Sequence, residues 1–288
     1  MTICRASLLR SRPRPAMGDV SDERTLSSQP DPALVGEVAA ALTLPLGDWR
    51  PLAGGRSNRV WRSGEVVLKQ VLPDTGTPLF PNDPRAEVVA LRALSPLLVP
   101  QLLAEGAGWF AYAHVPGRAW TNDPVPVARL LAEVHATPAP KGMRLLPMGG
   151  QAIAEQARGF GATGLPECPV IDDPGPTSRA LVHGDPVPAN IVVTAEGLRL
   201  IDWQCPGLGD PVDDLALFLS PAMQVLYRGR PLTADEGAAF LDAYPNRTTV
   251  ERYLRLAPLL GWRIAAHCAL RAARGDQGYA EALRLQLA

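Results

Sequence analysis

Residues 181–202 decide the fold of this chain, and they read LVHGDPVPANIVVTAEGLRLID. Two apolar runs flank the tetrapeptide TAEG near residue 196, a pattern that predicts two strands joined by a hairpin turn. A hairpin centred there puts Asn190 opposite Asp202, so we expect both side chains to emerge at the same end. Asp185 lies five residues before Asn190, on the loop that leads into the first strand.

These three side chains predict a metal site beside a general base. Carboxylate and amide oxygens suit a hard cation, and Mg²⁺ needs few protein ligands because it keeps waters and phosphates as the rest. We therefore expect Asn190 and Asp202 to hold Mg²⁺. Asp185 is then free to orient a substrate hydroxyl and accept its proton, as phosphoryl transfer requires. Each residue alone would be read as a loop cap or turn residue, but their common frame favours the catalytic interpretation.

The spacing His-x-Asp-x₄-Asn, followed by a hairpin and an Asp, is typical of kinase catalytic and metal loops. With IDWQ at 201–204 and GDPVDDLA at 209–216, the chain resembles the aminoglycoside phosphotransferase and choline kinase superfamily over about residues 48–220. The resemblance implies an α+β, protein-kinase-like fold of two lobes, the first small and β-rich, the second larger and helical. It also implies Mg²⁺, ATP or GTP as phosphoryl donor, and a small-molecule acceptor.

A kinase-like enzyme also needs a loop that binds phosphates. Gly54 and Gly55 lie between two strand-like runs, where glycines let the backbone approach a phosphate. Ser57 and Asn58 follow and can donate hydrogen bonds. A Gly-Gly pair alone is usually only a turn, but Gly-Gly-x-x-Asn is similar to the superfamily's pattern. We therefore predict that all four residues bind the nucleotide.

Lys69 and Glu87 are predicted to form an ion pair. Lys69 shares one face of a predicted strand with valines, and Glu87 lies in the apolar stripe of a predicted helix. A charge on an apolar face needs a partner of opposite charge, and Lys69 and Glu87 can each be that partner for the other. The pair resembles the lysine and glutamate that position nucleotide phosphates in kinases. The alternative is an edge-strand lysine and a snorkelling glutamate.

Hydrophobic periodicity, turn residues and caps predict the remaining elements. Strands are expected at 49–53, 59–62, 66–71, 101–105 and 109–114, and helices at 32–42, 84–94, 125–136, 151–160, 212–219, 234–244, 250–274 and 278–287. This order places a boundary near residue 116, between a nucleotide-binding N-lobe at 31–116 and a catalytic, acceptor-binding C-lobe at 117–288. The hinge is expected at 109–116, where main-chain groups would meet the purine.

Residues 1–30 are predicted to form a disordered tail. The first 17 residues carry four arginines and no acid, which is also compatible with a targeting peptide. Their apolar stretch is too short for a signal peptide, which favours a plain tail or a start codon placed too early, with Met17 as the true start.

Composition excludes several classes of protein. A hydrophobic fraction of 47% provides for a sizeable core and excludes a disordered chain. The formal net charge is −1, so no global basic field exists to hold nucleic acid. No apolar run is long enough to predict a membrane span. Four cysteines without a C-x-x-C pair indicate unpaired thiols in a reduced, cytoplasmic setting.

Other polar and aromatic residues are weaker candidates. His183 resembles the family histidine that braces the catalytic loop, and His135, His267 and His114 are expected to be structural. Asp214 is expected to be a brace and Asp210 an acceptor contact. Trp203 and Trp262 are read as core residues, with an aromatic wall for an ammonium group as the alternative.

Three function classes follow from these residues. The leading one is a small-molecule kinase, with choline, ethanolamine, thiamine, an amino sugar, homoserine and an aminoglycoside all open as acceptors. The alternative is a nucleotide-binding pseudokinase with a regulatory role, which would not need every catalytic group intact. A protein kinase is disfavoured, because no A-P-E-like segment or long activation loop follows Asp202.

Overall fold

The computed structural model describes residues 29–52, 57–73 and 75–288. The predicted phosphate-loop residues Gly54 and Gly55 lie outside the described residues, as does nearly all of the predicted tail at 1–30. What the sequence predicts for these residues therefore stays a prediction.

The amino-terminal part is built on an antiparallel sheet of five strands. Helix α1 precedes it and α2 lies between its third and fourth strands. The elements are α1 (Pro32–Leu42), β1 (Arg50–Pro51), β2 (Asn58–Ser63), β3 (Val66–Val71), α2 (Pro84–Ala93), β4 (Leu102–Gly106) and β5 (Trp109–Ala113), and the strand order is β1-β2-β3-β5-β4. Both helices begin as predicted, because Asp31 and Asp83 cap them and proline follows each cap.

The carboxy-terminal part is mainly helical. Its elements are β6 (Arg118–Ala119), α3 (Val125–His135), α4 (Gly150–Arg158), β7 (Ala180–Val182), a 3-10 turn (Pro188–Asn190), β8 (Ile191–Val193), β9 (Leu198–Leu200), β10 (Gly207–Gly209), α5 (Val212–Leu219), α6 (Pro221–Arg228), α7 (Ala234–Ala243), α8 (Arg247–Ala273) and α9 (Tyr279–Gln286). The long helix α8 packs against α4, α5 and α9 and forms the centre of this part. The α+β class and the two differently built regions are confirmed.

The two regions share a continuous apolar core. Its largest cluster joins Val88 of α2 and Phe110 of β5 to Leu131 of α3 and Ile191 of the hairpin. The chain leaves the five-stranded sheet after β5 and next pairs at β6, whose partner is β8. A lobe boundary near residue 116 agrees with these pairings and stays a proposal.

The predicted hairpin forms, but the predicted pairing of Asn190 with Asp202 is wrong by one residue. Ile191 pairs with Leu200, and the N–H of Ile201 donates to the carbonyl of Asn190 at 2.9 Å. The reason is the position of the turn. Residues 194–197 close the hairpin, so its centre lies between residues 195 and 196 and not at residue 196. Asp202 is therefore the first residue beyond the paired part of the hairpin.

Helix α6 and the short strands β6 and β10 were not predicted. The sequence signal for α6 is Ser220 followed by Pro221, since the Ser220 side chain accepts a hydrogen bond from the N–H of Met223 and caps the helix. The two strands have two and three residues, too short for a periodicity to appear. None of the helices in the described ranges is long and apolar enough to span a membrane.

Candidate active site

Lys69 joins two carboxylates in the interior of the protein. Its Nζ donates to Glu87 Oε1 and Oε2 at 2.9 and 2.7 Å and to Asp202 Oδ1 at 2.8 Å. Lys69 and Glu87 are each only 2% exposed. Strand β3 supplies the lysine, helix α2 the glutamate and the segment after the hairpin the aspartate. The structure thus brings the predicted pair together and adds a third partner.

The charge of Lys69 is secured by its neighbours. Burial alone would lower the pKa of this amine, but the carboxylates of Asp202 and Glu87 outweigh burial and raise the pKa above its ordinary value. The ammonium therefore stays charged at physiological pH.

Asp185 and Asn190 are held together on the loop before β8. The Asn190 Nδ2 group donates to the Asp185 carbonyl at 2.9 Å and to Asp185 Oδ2 at 3.3 Å. Both residues are 8% exposed. Burial, followed by the nearby carboxylates of Asp202 and Asp214, raises the pKa of Asp185 well above its usual range. All three predicted catalytic and metal-binding side chains therefore lie in one neighbourhood.

The loop at residues 183–190, which we call the catalytic loop after its predicted role, has its backbone held by Asp214. Its Oδ2 and Oδ1 accept the N–H groups of His183 and Gly184, each at 2.8 Å. The Asp214 side chain also contacts His135 Nε2 at 3.0 Å, and His135 Nδ1 lies 2.8 Å from the Tyr244 hydroxyl. Asp214 is thus the brace that was expected. His135 is structural, as expected, and it holds Asp214 from the other side.

His183 supports the loop through both ring nitrogens. Nδ1 accepts the N–H of Asp185 at 3.1 Å, and Nε2 lies 3.1 Å from the Ile201 carbonyl. Its ring meets Trp203 edge to face at 4.4 Å. Gly184 has a φ of +81°, and a Cβ there would lie 2.3 Å from the Cys205 carbonyl oxygen, so only glycine fits between these two segments. Trp203 is fully buried, as the core interpretation expects.

Asn58 is buried, and its side chain bonds within the protein. Its side chain is 4% exposed, its Nδ2 donates to Asn82 Oδ1 at 3.0 Å, and its Oδ1 accepts the N–H of Leu72 at 3.2 Å. The amide oxygen and one Nδ2 donor contact of Asn58 are thus engaged within the protein. Ser57 directly precedes Asn58 at the start of β2, and the Ser57 carbonyl accepts a hydrogen bond from the Thr75 hydroxyl at 2.6 Å.

Asp210 is a buried ion-pair partner and not an open acidic contact. It is 1% exposed and accepts from Arg252 of α8, which also donates to the Gly175 carbonyl. The expectation that Asp210 meets the acceptor is therefore not supported by its placement. Trp262 is 8% exposed and donates to the Pro166 carbonyl at 3.0 Å, so it too belongs to the core.

The donor atoms near the hairpin fit a magnesium ion. Asn190 directs its nitrogen at Asp185, which turns its amide oxygen away from that carboxylate. Asp202 is about a third exposed at its side chain, and Oδ2 has no hydrogen-bond partner among the described residues. Across all the residues that the structure describes, no group of three or more His, Cys, Asp or Glu side chains forms a metal site by itself. A cation with few protein ligands, completed by water and phosphate, suits this donor set.

Comparison with known proteins identifies the family of the chain. The family model described as "Phosphotransferase enzyme family" matches residues 48–259. Thiamine kinases of several Salmonella strains, including Salmonella typhimurium, are 36% identical over 136 residues, which is 43% of this chain and 49% of theirs. The chain thus spans about half the length of the curated relatives it matches.

Two solved structures share the fold. A choline/ethanolamine kinase family protein from Mesorhizobium loti has a TM-score of 0.60 at 16% identity, over 88% of this chain and 92% of that one. The streptomycin–ATP ternary complex of APH(2″)-IIa has a TM-score of 0.60 at 13% identity, over 89% and 97%. With a kinase-like fold and a family model matched over most of its length, the chain belongs to the phosphotransferase enzyme family.

Proposed function

We propose that the protein transfers the terminal phosphoryl group of a nucleoside triphosphate to a hydroxyl of a small molecule. The observation that carries this is the contact of Lys69 with both Glu87 and Asp202. That contact joins strand, helix and hairpin end in one buried charge cluster, next to the paired Asp185 and Asn190. Phosphoryl transfer requires a cation that binds phosphate, ligands for a metal ion and a general base, and this cluster provides all three kinds of group.

The nucleotide phosphates are bound by the cation of Lys69, which Glu87 keeps in position. The backbone at Gly54 and Gly55, and the donors of Ser57, are proposed to cover the phosphates from the other side. Asn58 is proposed to act partly through the backbone that it fixes, because its amide pairs with Asn82 and with the N–H of Leu72. Asn190 and Asp202 are proposed to hold Mg²⁺, which neutralises charge on the transferred group when bound.

Asp185 is the proposed acceptor base. Its Oδ2 is engaged by Asn190, so Oδ1 is the atom that accepts a hydrogen bond from the acceptor hydroxyl. As the acceptor oxygen bonds to phosphorus and the bond to the nucleoside diphosphate breaks, the hydroxyl proton passes to Asp185 Oδ1.

The acceptor is proposed to be an amino alcohol, a thiamine-like compound, an amino sugar or an aminoglycoside. The likeness to thiamine kinases over 136 residues supports testing thiamine first. The kinase-like neighbours, one of them a complex with ATP, support ATP or GTP as donor.

The experiment is nucleoside diphosphate release from ATP and GTP with Mg²⁺ across a panel of these acceptors. We expect release that depends on one acceptor class and falls by at least about a thousandfold in Asp185→Asn, with nucleotide affinity retained. Asp235→Asn, the same change at an exposed site on α7, is the matched control.

Nucleotide binding without release for any acceptor would favour the alternative, a pseudokinase with a regulatory role. Equal loss of nucleotide binding and turnover in Asp185→Asn would remove Asp185 as the base.

A further inference from the structure

A chain of three side chains leads from the end of helix α7 to the catalytic loop. Tyr244 follows the last residue of α7, and its hydroxyl lies 2.8 Å from Nδ1 of His135, the last residue of α3. Nε2 of the same ring lies 3.0 Å from Oδ2 of Asp214 on α5. The side chains of His135 and Asp214 are 4% and 0% exposed, and Tyr244 is 2% exposed. Both contacts are therefore shielded from water.

Asp214 extends this chain to the proposed base. Its two oxygens accept the N–H groups of His183 and Gly184, each at 2.8 Å. Gly184 directly precedes Asp185, whose own N–H donates to His183 Nδ1 at 3.1 Å. The position of the Asp214 carboxylate therefore fixes the backbone from which the Asp185 side chain extends.

The ionisation of Asp214 decides the direction of the first link. Burial alone would raise the pKa of this carboxyl, but the hydrogen bond from His135, with further contributions from His183 and Gly184, outweighs burial and lowers the pKa below its ordinary value. An ionised carboxylate only accepts, so His135 Nε2 donates to it. Burial and then nearby carboxylates raise the pKa of Tyr244, so the hydroxyl at Nδ1 keeps its proton.

Tyr244 supplies the fixed point of this chain. The other partners of Asp214 are the loop amides that it positions, so the carboxylate needs a hold from a different element. An imidazole bonded through one nitrogen can still turn about the bond to its Cβ, whereas a ring bonded through both nitrogens is held in one orientation. Tyr244 is itself immobile, since it belongs to the largest apolar cluster together with Leu131 and Phe240.

We propose that Tyr244 is a positioning residue for Asp185. It acts through His135 and Asp214, and the proposal rests on the proposed function, in which Asp185 is the acceptor base. A reacting group that is displaced by a fraction of an ångström slows the chemical step. Lys69, the proposed phosphate-binding cation, is held by other elements, so the chain is expected to act on turnover and not on nucleotide affinity.

The first test removes one hydroxyl from the buried ring. In Tyr244→Phe we expect kcat at saturating substrates to fall about fivefold to tenfold, while the Kd for Mg–ATP stays within about twofold of the wild type. A merely structural role would lower the melting temperature and leave kcat unchanged, and that result would overturn the proposal.

Tyr253→Phe is the matched control. Tyr253 is a half-buried residue of α8, and its hydroxyl has no hydrogen-bond partner among the residues that the structure describes. This change should leave both kcat and the Kd unchanged. An equal loss of kcat in both variants would overturn the proposal, because the effect would then not depend on the bond to His135.

Two replacements of His135 test the link itself. Glutamine can place an amide donor near the position of Nε2, whereas leucine leaves Asp214 without that donor. We expect His135→Leu to lower kcat by about tenfold to a hundredfold and His135→Gln to recover most of this loss. Equal losses would overturn the proposal. In the His135→Leu background Tyr244→Phe should lower kcat no further, and additive losses would overturn the route through His135.

Hydrogen exchange tests the positioning without any turnover. In Tyr244→Phe the backbone amides of His183 and Gly184 should exchange about fivefold faster than in the wild type, with the amides of strand β7 unchanged. Unchanged exchange at both loop amides in the folded variant overturns the inference and leaves the proposed function intact. Should Tyr244→Phe not fold, the same criterion applies to His135→Leu. A folded wild-type protein that phosphorylates no acceptor overturns the proposed function, whatever the exchange result.

Discussion

At the scale of residues, Asp202 has a left-handed backbone conformation. Its φ is +58°, a region that costs a residue other than glycine about 1 kcal/mol or more. The hairpin pairing ends one residue earlier, and this backbone turn redirects the chain so that the carboxylate meets Lys69. The charge-assisted hydrogen bond at 2.8 Å is the interaction that offsets the cost.

His267 is a fully buried residue of α8 with two polar atoms that have no hydrogen-bond partner in the described chain. Phe80 and Tyr279 contact its ring. Burial, with added repulsion from Arg271 and Arg274, lowers its pKa to about 3. The ring is therefore neutral when folded, and its unpaired nitrogens are a cost to stability.

Replacing His267 by Leu is expected to stabilise the protein most at low pH. Below pH 6.5 the unfolded chain takes up a proton on this ring and the folded chain does not until about pH 3. Each pH unit in that window costs the wild type about 1.4 kcal/mol, and the variant escapes that cost. Melting temperatures from pH 8 to 4 check this: a constant gap between the two proteins across that range would contradict it.

At the scale of elements, helix α8 neutralises the acids that follow the hairpin. Arg252 pairs with Asp210, and Arg263 donates to Asp213 Oδ1 at 2.6 Å. Both acids are nearly fully buried, so without these partners they would be charges in the interior. These acids therefore attach α8 to α5 and to the segment that precedes α5.

Pro258 interrupts the hydrogen-bond ladder of α8 on its exposed side. It has no N–H to donate to the carbonyl of Leu254, and its ring crowds that carbonyl. We expect Pro258→Ala to raise stability by about 1–3 kcal/mol, measured by urea unfolding. Ala257→Gly, a destabilising change at the neighbouring position, is the opposite control. An unchanged unfolding midpoint would mean that the helix is already bent to suit proline.

At the scale of the whole molecule, the two regions are joined by polar contacts as well as by the shared core. Lys69 and Asp202 are bonded over a separation of 133 residues. Just before α2, the Asp83 N–H also donates a hydrogen bond to the Gln204 carbonyl. A ligand that engages Lys69 therefore contacts parts of both regions at once. Its binding free energy is expected to appear as stability of the entire fold.

Mg–ATP at about a hundred times its Kd is expected to stabilise the wild type by about 2.7 kcal/mol. In Lys69→Met this ligand-dependent increase should vanish, because the phosphate-binding cation is gone. The comparison is made with and without ligand for each variant, since an unpaired Glu87 also lowers basal stability. Lys141→Met, at the exposed second lysine, should keep the full increase. A similar increase in Lys69→Met would remove Lys69 from the nucleotide site.

Local signals in the sequence were sufficient for most elements and for the acidic centre of the site. Aspartate followed by proline begins both α1 and α2, and alternation predicts β3 with the bounds that the structure shows. Asp185 and Asn190 are five residues apart on one loop, so their proximity follows from chain connectivity. These features depend on residues near in sequence, and hydrophobic periodicity reports them directly.

Only the tertiary structure decided which distant groups became partners. Periodicity identifies a buried face but not the atom that meets it, so Lys69 could be matched with Glu87 while its bond to Asp202 was missed. In the same way the pairing of Asn58 with Asn82 was missed. Hydrogen bonds are short and directional, and a register shift of one residue changes the partner. The sequence by itself therefore determined most of the elements and the chemical groups of the site, and packing determined the contacts among them.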